Sequence, residues 1–92
     1  MNIEFDEAKS RRNARERGLP FERAAEFEWE SAFYEADARR NYGERRIVAV
    51  GFLEERLHVL CFTPIEDGVR IISFRKANRR EVKAYEQETA HR

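Results

Sequence analysis

Between Asp67 and Glu81 the chain carries Arg70, Arg75, Lys76, Arg79 and Arg80 and no acidic residue. A guanidinium presents several N–H donors in a fixed fork, so cations at this density point to recognition of a phosphate or a similar anion. Asn78 followed three residues later by Glu81 has the spacing of a capping box. That spacing predicts a helix beginning at Arg79, with Arg79 and Arg80 in its first turn. Cations there oppose the helix macrodipole at a cost of about 0.3 to 1 kcal/mol each, whereas a bound phosphate is favoured by the dipole and by the forks alike. The structural alternative is that these side chains lie over apolar surface or pair with acids elsewhere in the fold.

A strand must deliver Arg70 and Arg75 to that helix, and Val69 to Phe74 has the composition of one. Ile47 to Phe52 and Leu57 to Phe62 predict two more, separated by Glu54-Glu55-Arg56 and followed by a connection over Pro64 to Gly68. Connections this short imply antiparallel neighbours. A shorter first strand is expected within Ser31 to Asp37, around Phe33 and Tyr34, and the polar run Ala38 to Gly43 reads as a loop. Upstream, Asp6 can cap a helix ending near Arg17, with Gly18 as its stop and little beyond Phe5, Ala8 and Ala14 to bury. Phe21, Ala24, Ala25, Phe27 and Trp29 predict a second, short helix, and Val82, Ala84 and Tyr85 belong to the last one, from Arg79 to about Ala90. The expected order is ααββββα, an antiparallel four-stranded sheet with two N-terminal helices and a C-terminal helix, which is an α+β fold.

The 92 residues suffice for a single domain spanning 1–92. Such a domain buries about two thirds of the surface its unfolded chain exposes and needs no metal or disulfide staple. Cys61 is the sole cysteine and lies in an apolar run, which argues against a disulfide framework. No apolar stretch approaches the length of a signal or membrane-spanning segment, so a cytoplasmic location and no membrane partner are expected. The net charge is zero, yet residues 9 to 17 hold five cations and one acid, and residues 21 to 37 hold six acids and Arg23. A balanced total thus conceals patches of opposite sign, favouring a focused basic site or a partner of complementary charge, with solvated helix faces as the alternative. No metal-ligand cluster, glycine-rich phosphate loop or nucleophile elbow is present, and no cofactor is expected.

Three groups of residues share one order and spacing. They are Lys9, Asn13 and Gly18 with Phe21 and Ala24; Gly43-Glu44, Arg46 and Gly51; and Arg70-Ile71-Ile72-Ser73 with Arg75, Ala77, Glu81 and Tyr85. Over nearly the whole chain this pattern resembles the BrnT toxins of bacterial type II toxin-antitoxin pairs. The resemblance implies a fold similar to the RelE ribonuclease toxins, RNA cleavage that inhibits translation, and neutralisation by a BrnA antitoxin. The antitoxin carries a ribbon-helix-helix region, so DNA would be reached only indirectly, when the complex represses its own promoter. The chain departs from the usual pattern at Arg17-Gly18, commonly His-Gly, at Phe5-Asp6, commonly Trp-Asp, and at Phe74, commonly alanine. It also has Pro64-Ile65 where an arginine commonly follows the threonine of the third strand.

RNA is cut without a metal when its own 2′-hydroxyl attacks the adjacent phosphate, which needs a phosphate clamp, stabilisation of developing charge and a path for protons. The expected clamp is Arg70, Arg75 and Arg79, converging on the corner where the last strand meets the last helix. Arginine stays protonated, so proton transfer falls to other types: Lys76, Tyr85, His58 or Glu44. Each has a plainer reading: Tyr85 as a core-edge aromatic, His58 as a strand residue between Leu57 and Val59, and Glu44 as the ion-pair partner of Arg46. Lys9, Asn13 and Arg17 recur every four residues and form one stripe of the first helix. With Arg46 that stripe would bind RNA; otherwise it receives the antitoxin or faces solvent. The alternative to a ribonuclease is a non-catalytic binding subunit or corepressor in a DNA-binding toxin-antitoxin complex, its basic corner docking an acidic partner.

Overall fold

In the computed structural model, which describes residues 1–90, the chain begins with strand β1 (Asn2–Phe5), helix α1 (Glu7–Arg17) and two 3-10 segments, Phe21–Glu26 and Trp29–Ser31. Strands β2 (Phe33–Ala36), β3 (Ile47–Leu53), β4 (Arg56–Ile65) and β5 (Gly68–Lys76) follow, and helix α2 (Arg79–Thr89) closes the order. The helices end where local chemistry says they should. Asp6 accepts a hydrogen bond from the Lys9 amide at 3.0 Å, Gly18 stops α1 with a left-handed φ of 66°, and Asn78 and Glu81 form the expected capping box of α2.

The fold is α+β, but the sheet has five strands in the order β1-β5-β4-β3-β2 and is mixed, not the four-stranded antiparallel sheet expected. β2 to β5 are antiparallel, while β1 lies parallel to β5 from Asn2↔Gly68 to Phe5↔Ile71. A four-residue strand is too short to announce itself by alternation, and its partner lies at the other end of the chain. Gly68 admits it, because a Cβ there would collide with the Asn2 backbone carbonyl.

Other boundaries also shift. The second N-terminal helix is replaced by the 3-10 segments, in which Phe21 and Ala24 are buried at three-residue spacing while Ala25 is exposed. The Trp29 indole donates to the Ala24 carbonyl at 2.9 Å and ties the second segment to the first. β4 continues through Thr63-Pro64-Ile65, beyond the expected boundary. Pro64 lies past the last β3 pair, Ile47↔Phe62, so its missing N–H leaves no gap in that ladder. In α1 the buried residue is Ser10 and not Ala8, which is exposed. The Ser10 hydroxyl accepts from the Phe21 amide at 2.8 Å and donates to Glu22 at 3.1 Å, binding helix to 3-10 segment through polar contacts.

Alternation builds a core on each face of the sheet. On one face Leu60, Phe62, Ile71 and Phe74 pack under Leu19, Phe21, Ala24 and Phe27 of the N-terminal cover. On the other, Leu57, Val59 and Ala77 meet Val82 and Tyr85 of α2. Among the described residues no helix is long and apolar enough to cross a membrane.

Candidate functional site

A regular strand sends residues five apart to opposite faces, and Arg70 and Arg75 are five apart. An irregularity resolves the conflict. Phe62 pairs with Ile71 and Cys61 with Ser73, so Ile72 is an extra residue bulged out of the ladder. Beyond it the phase is reset: Phe74 stays in the N-terminal core, while Arg70, Ser73 and Arg75 all face the side of α2. α2 covers that side only in part. What remains is an open groove of about 760 Å³, floored by Val48, Val50, Val59, Cys61 and Ser73, with Asp37 and Arg39 on one flank and Arg75 and Glu81 on the other.

The charges of the groove are held in place. Arg75 grips Glu81 through a two-pronged bond, Nη1 to Oε1 and Nη2 to Oε2, each 2.8 Å. The same carboxylate accepts the Asn78 amide at 2.8 Å, so one acid both caps α2 and orients the arginine. Arg75 pulls the Glu81 carboxyl down to about 2, and Glu81 in turn raises the guanidinium. Across the groove the nearly inaccessible Asp37 side chain is held by Arg39 through two contacts of 2.8 Å and by the Tyr42 hydroxyl at 3.2 Å. Arg39 keeps that carboxyl well below the usual carboxylate range. Burial pushes the Cys61 thiol up, leaving it neutral between these charged flanks.

Farther along the same face Glu44 accepts from Arg46 at 3.1 Å and from Arg70 at 3.5 Å, and the Arg46 guanidinium lies 4.1 Å from the centre of the Tyr42 ring. The Glu44–Arg46 ion pair expected from sequence is present.

The other residues with expected roles fall elsewhere. Arg70, Arg75 and Arg79 do not converge on one corner: Arg70 and Arg75 lie toward opposite ends of β5, and Arg79 lines a separate hollow with Phe52, Leu57 and Tyr85. Lys76 pairs with His58 and faces the opposite side of the sheet from Arg75. Tyr85 meets Phe33 and Phe52 edge to face, with ring centres 5.3 and 5.4 Å apart, as a core-edge aromatic does. Asn13 spends its amide on structure, donating to the Leu19 carbonyl at 2.7 Å and the Phe74 carbonyl at 2.9 Å, which seats α1 against the free edge of β5. Lys9 and Arg17, on the same helix, flank a notch over Ile72 and Ser73 and have no ion pair among the described residues. His58 is buried, its Nδ1 bonded to the Arg56 carbonyl at 2.8 Å, and burial pushes its imidazole below the ordinary value.

Sequence reasoning missed Asp37 and Arg39. Their alternate spacing at the end of β2, followed by Tyr42, was the available signal. Among the described residues no group of three or more His, Cys, Asp or Glu side chains is arranged to hold a metal ion.

A family model described as ribonuclease toxin, BrnT, of type II toxin-antitoxin system matches residues 5–81. The matched span runs from the last residue of β1 to the glutamate that grips Arg75. No match was found among curated proteins.

Proposed function

Because the chain belongs to the BrnT family of ribonuclease toxins of type II toxin-antitoxin systems, we propose that it inhibits translation by cutting RNA in the groove beside Arg75. In this reading residues 1–92 act as one RelE-like domain in the cytoplasm. The reaction is metal-independent transfer of the phosphoryl group to a ribose 2′-oxygen. The 2′-oxygen bonds to phosphorus as the bond to the 5′-oxygen breaks; the 2′-hydroxyl loses its proton to water and the departing oxygen gains one. The products are a 2′,3′-cyclic phosphate and a 5′-hydroxyl end.

The observation that carries this reading is the fork between Arg75 and Glu81. A guanidinium has five N–H donors; two go to Glu81 and a third to the Lys76 carbonyl at 3.3 Å. Nε and one Nη2 hydrogen are left for a phosphate oxygen, on an arginine already held at the groove wall. Glu81 and Asp37 remain ionised at neutral pH and the Cys61 thiol remains neutral, so the groove offers fixed charge and position in place of a tuned base. Arg70, Arg46 and Lys9 are assigned to flanking phosphates. The partner is a BrnA-like antitoxin whose acidic segment covers the groove, with DNA contacted only through the antitoxin's ribbon-helix-helix region.

A binding-only reading draws on one observation: Arg39, Arg46, Arg70 and Arg75 are all paired with acids of this same chain. Purified protein incubated with RNA in excess EDTA decides between them. Cleavage leaving a cyclic phosphate, and reduced about a hundredfold in Arg75→Ala, is expected of the enzyme. Activity abolished by EDTA and restored by magnesium overturns the proposed route, and an inert wild type favours binding alone.

A further inference from the structure

On the face of the sheet opposite the groove, Arg17, Arg23, Arg56 and Lys76 line a hollow of about 530 Å³ between the Gly18-Leu19 turn and the β3–β4 turn. Arg23 is committed to Glu26 at 2.9 Å and Glu54 at 2.5 Å. Arg17, Arg56 and Lys76 have no ion pair among the described residues, and Glu55 is the acid of the hollow that has none either. The excess of positive charge is therefore not neutralised from within.

His58 lies in the wall of this hollow with only 4% of its surface exposed. Nδ1 faces a carbonyl, so it carries the ring hydrogen and Nε2 presents a lone pair. Among the described residues no buried side-chain nitrogen or oxygen lacks a partner, so unpartnered Nε2 must reach solvent, and the hollow is where the ring reaches it. A hydrogen-bond acceptor ringed by cations suits an anion that also brings a hydroxyl. A ribose-phosphate has both.

The hollow also connects with the groove. It shares Arg17 with the notch beside α1, and the notch shares Ser73 with the groove, so the three adjoin in turn across the free edge of β5, the notch carrying Lys9, Arg12 and Arg17 against one acid, Glu16. We propose that the hollow is a second RNA subsite, taking a ribose-phosphate of the strand that occupies the groove. Arg17, Arg56 and Lys76 hold its phosphate, and Nε2 of His58 accepts the 2′-hydroxyl hydrogen. The subsite presupposes that the groove binds RNA as a ribonuclease site.

Fluorescence anisotropy with labelled RNAs of about four and about twelve nucleotides separates the two, since only the longer can reach around the strand edge. RNA, its 2′-fluoro analogue and DNA are compared, with strand integrity checked on gels. The Arg56→Ala, Lys76→Ala double variant is expected to bind the longer RNA roughly tenfold more weakly, with the salt slope lower by about 0.7 for each phosphate no longer neutralised, and the shorter RNA unchanged. His58→Leu should erase the preference for RNA over its 2′-fluoro analogue while leaving phosphate binding intact. Unchanged affinity for the longer RNA in the folded double variant overturns the subsite, as does equal weakening for both lengths. If Arg75→Ala weakens the shorter RNA while the hollow variants are silent, the ribonuclease reading stands and the subsite falls. A wild type that binds neither RNA overturns both. Surface Arg56 and Lys76 keep the test independent of whether His58→Leu folds.

Discussion

Glu81 serves two partners with one carboxylate, and its replacement should be read in two ways. Glu81→Gln removes the charge that orients Arg75 and weakens the cap of α2, which costs on the order of 1 kcal/mol in the stability measured by denaturant unfolding. The acid response of the fold separates this residue from His58. The imidazole is held below its ordinary 6.5, so the folded state resists its protonation; its contribution is complete above pH 6.5 and lost as pH falls through the depressed folded value. Glu81 is lowered from 4.5 to about 2, so its contribution persists to lower pH and disappears between those two values. Thermal midpoints measured against pH should therefore decline first through His58. His58→Leu should flatten that upper step and leave the lower one, and a variant that keeps the upper step would move the assignment elsewhere.

At the scale of elements, the pairing of β1 is the contact most sensitive to one atom. Gly68→Val places a Cβ against the Asn2 carbonyl and should displace β1, with a loss on the order of 3 kcal/mol and faster proteolysis near the N-terminus. Native-like stability in that variant would mean that β1 is held by something other than this close approach. The helix ends were legible because caps are local: Asp6, Gly18 and the Asn78 and Glu81 pair act within one turn of themselves. β1 was not, since its hydrogen bonds run to a strand at the far end of the chain. The arginines were legible as a cluster but not as a geometry. Separation along β5 and the turn into α2 could be read from the strand and its cap, but the reset at Ile72 decides which of them share a surface and leaves no mark in residue type. The groove's Asp37 and Arg39 were hidden for a related reason, because the rim on which they meet β5 exists only once the sheet has formed.

For the whole molecule, zero net charge coexists with a groove where Arg39 and Arg75 stand beside Glu35, Asp37 and Glu81, so long-range attraction must come from local fields of both signs. Association with the antitoxin should be faster at low salt and slower in an Arg39→Glu, Arg75→Glu variant, as stopped-flow measurements would show. A rate indifferent to salt and to both substitutions would put the antitoxin on another surface. The bulge at Ile72 bears on how the molecule tolerates changes in its own length. β5 contains one residue more than its ladder with β4 counts, so between Ile71 and Ser73 the gene can lose a codon without transposing the strand. Deleting Ile72 should give a regular strand that still buries Phe74 and still presents Arg75 to the groove. Deleting Phe74 lets Ile72 and Ser73 close up into the ladder, so Arg75 keeps its face while Ser73 takes the buried place opposite Leu60; losing that core ring should cost about 3 to 5 kcal/mol, so that two deletions two positions apart have opposite fates.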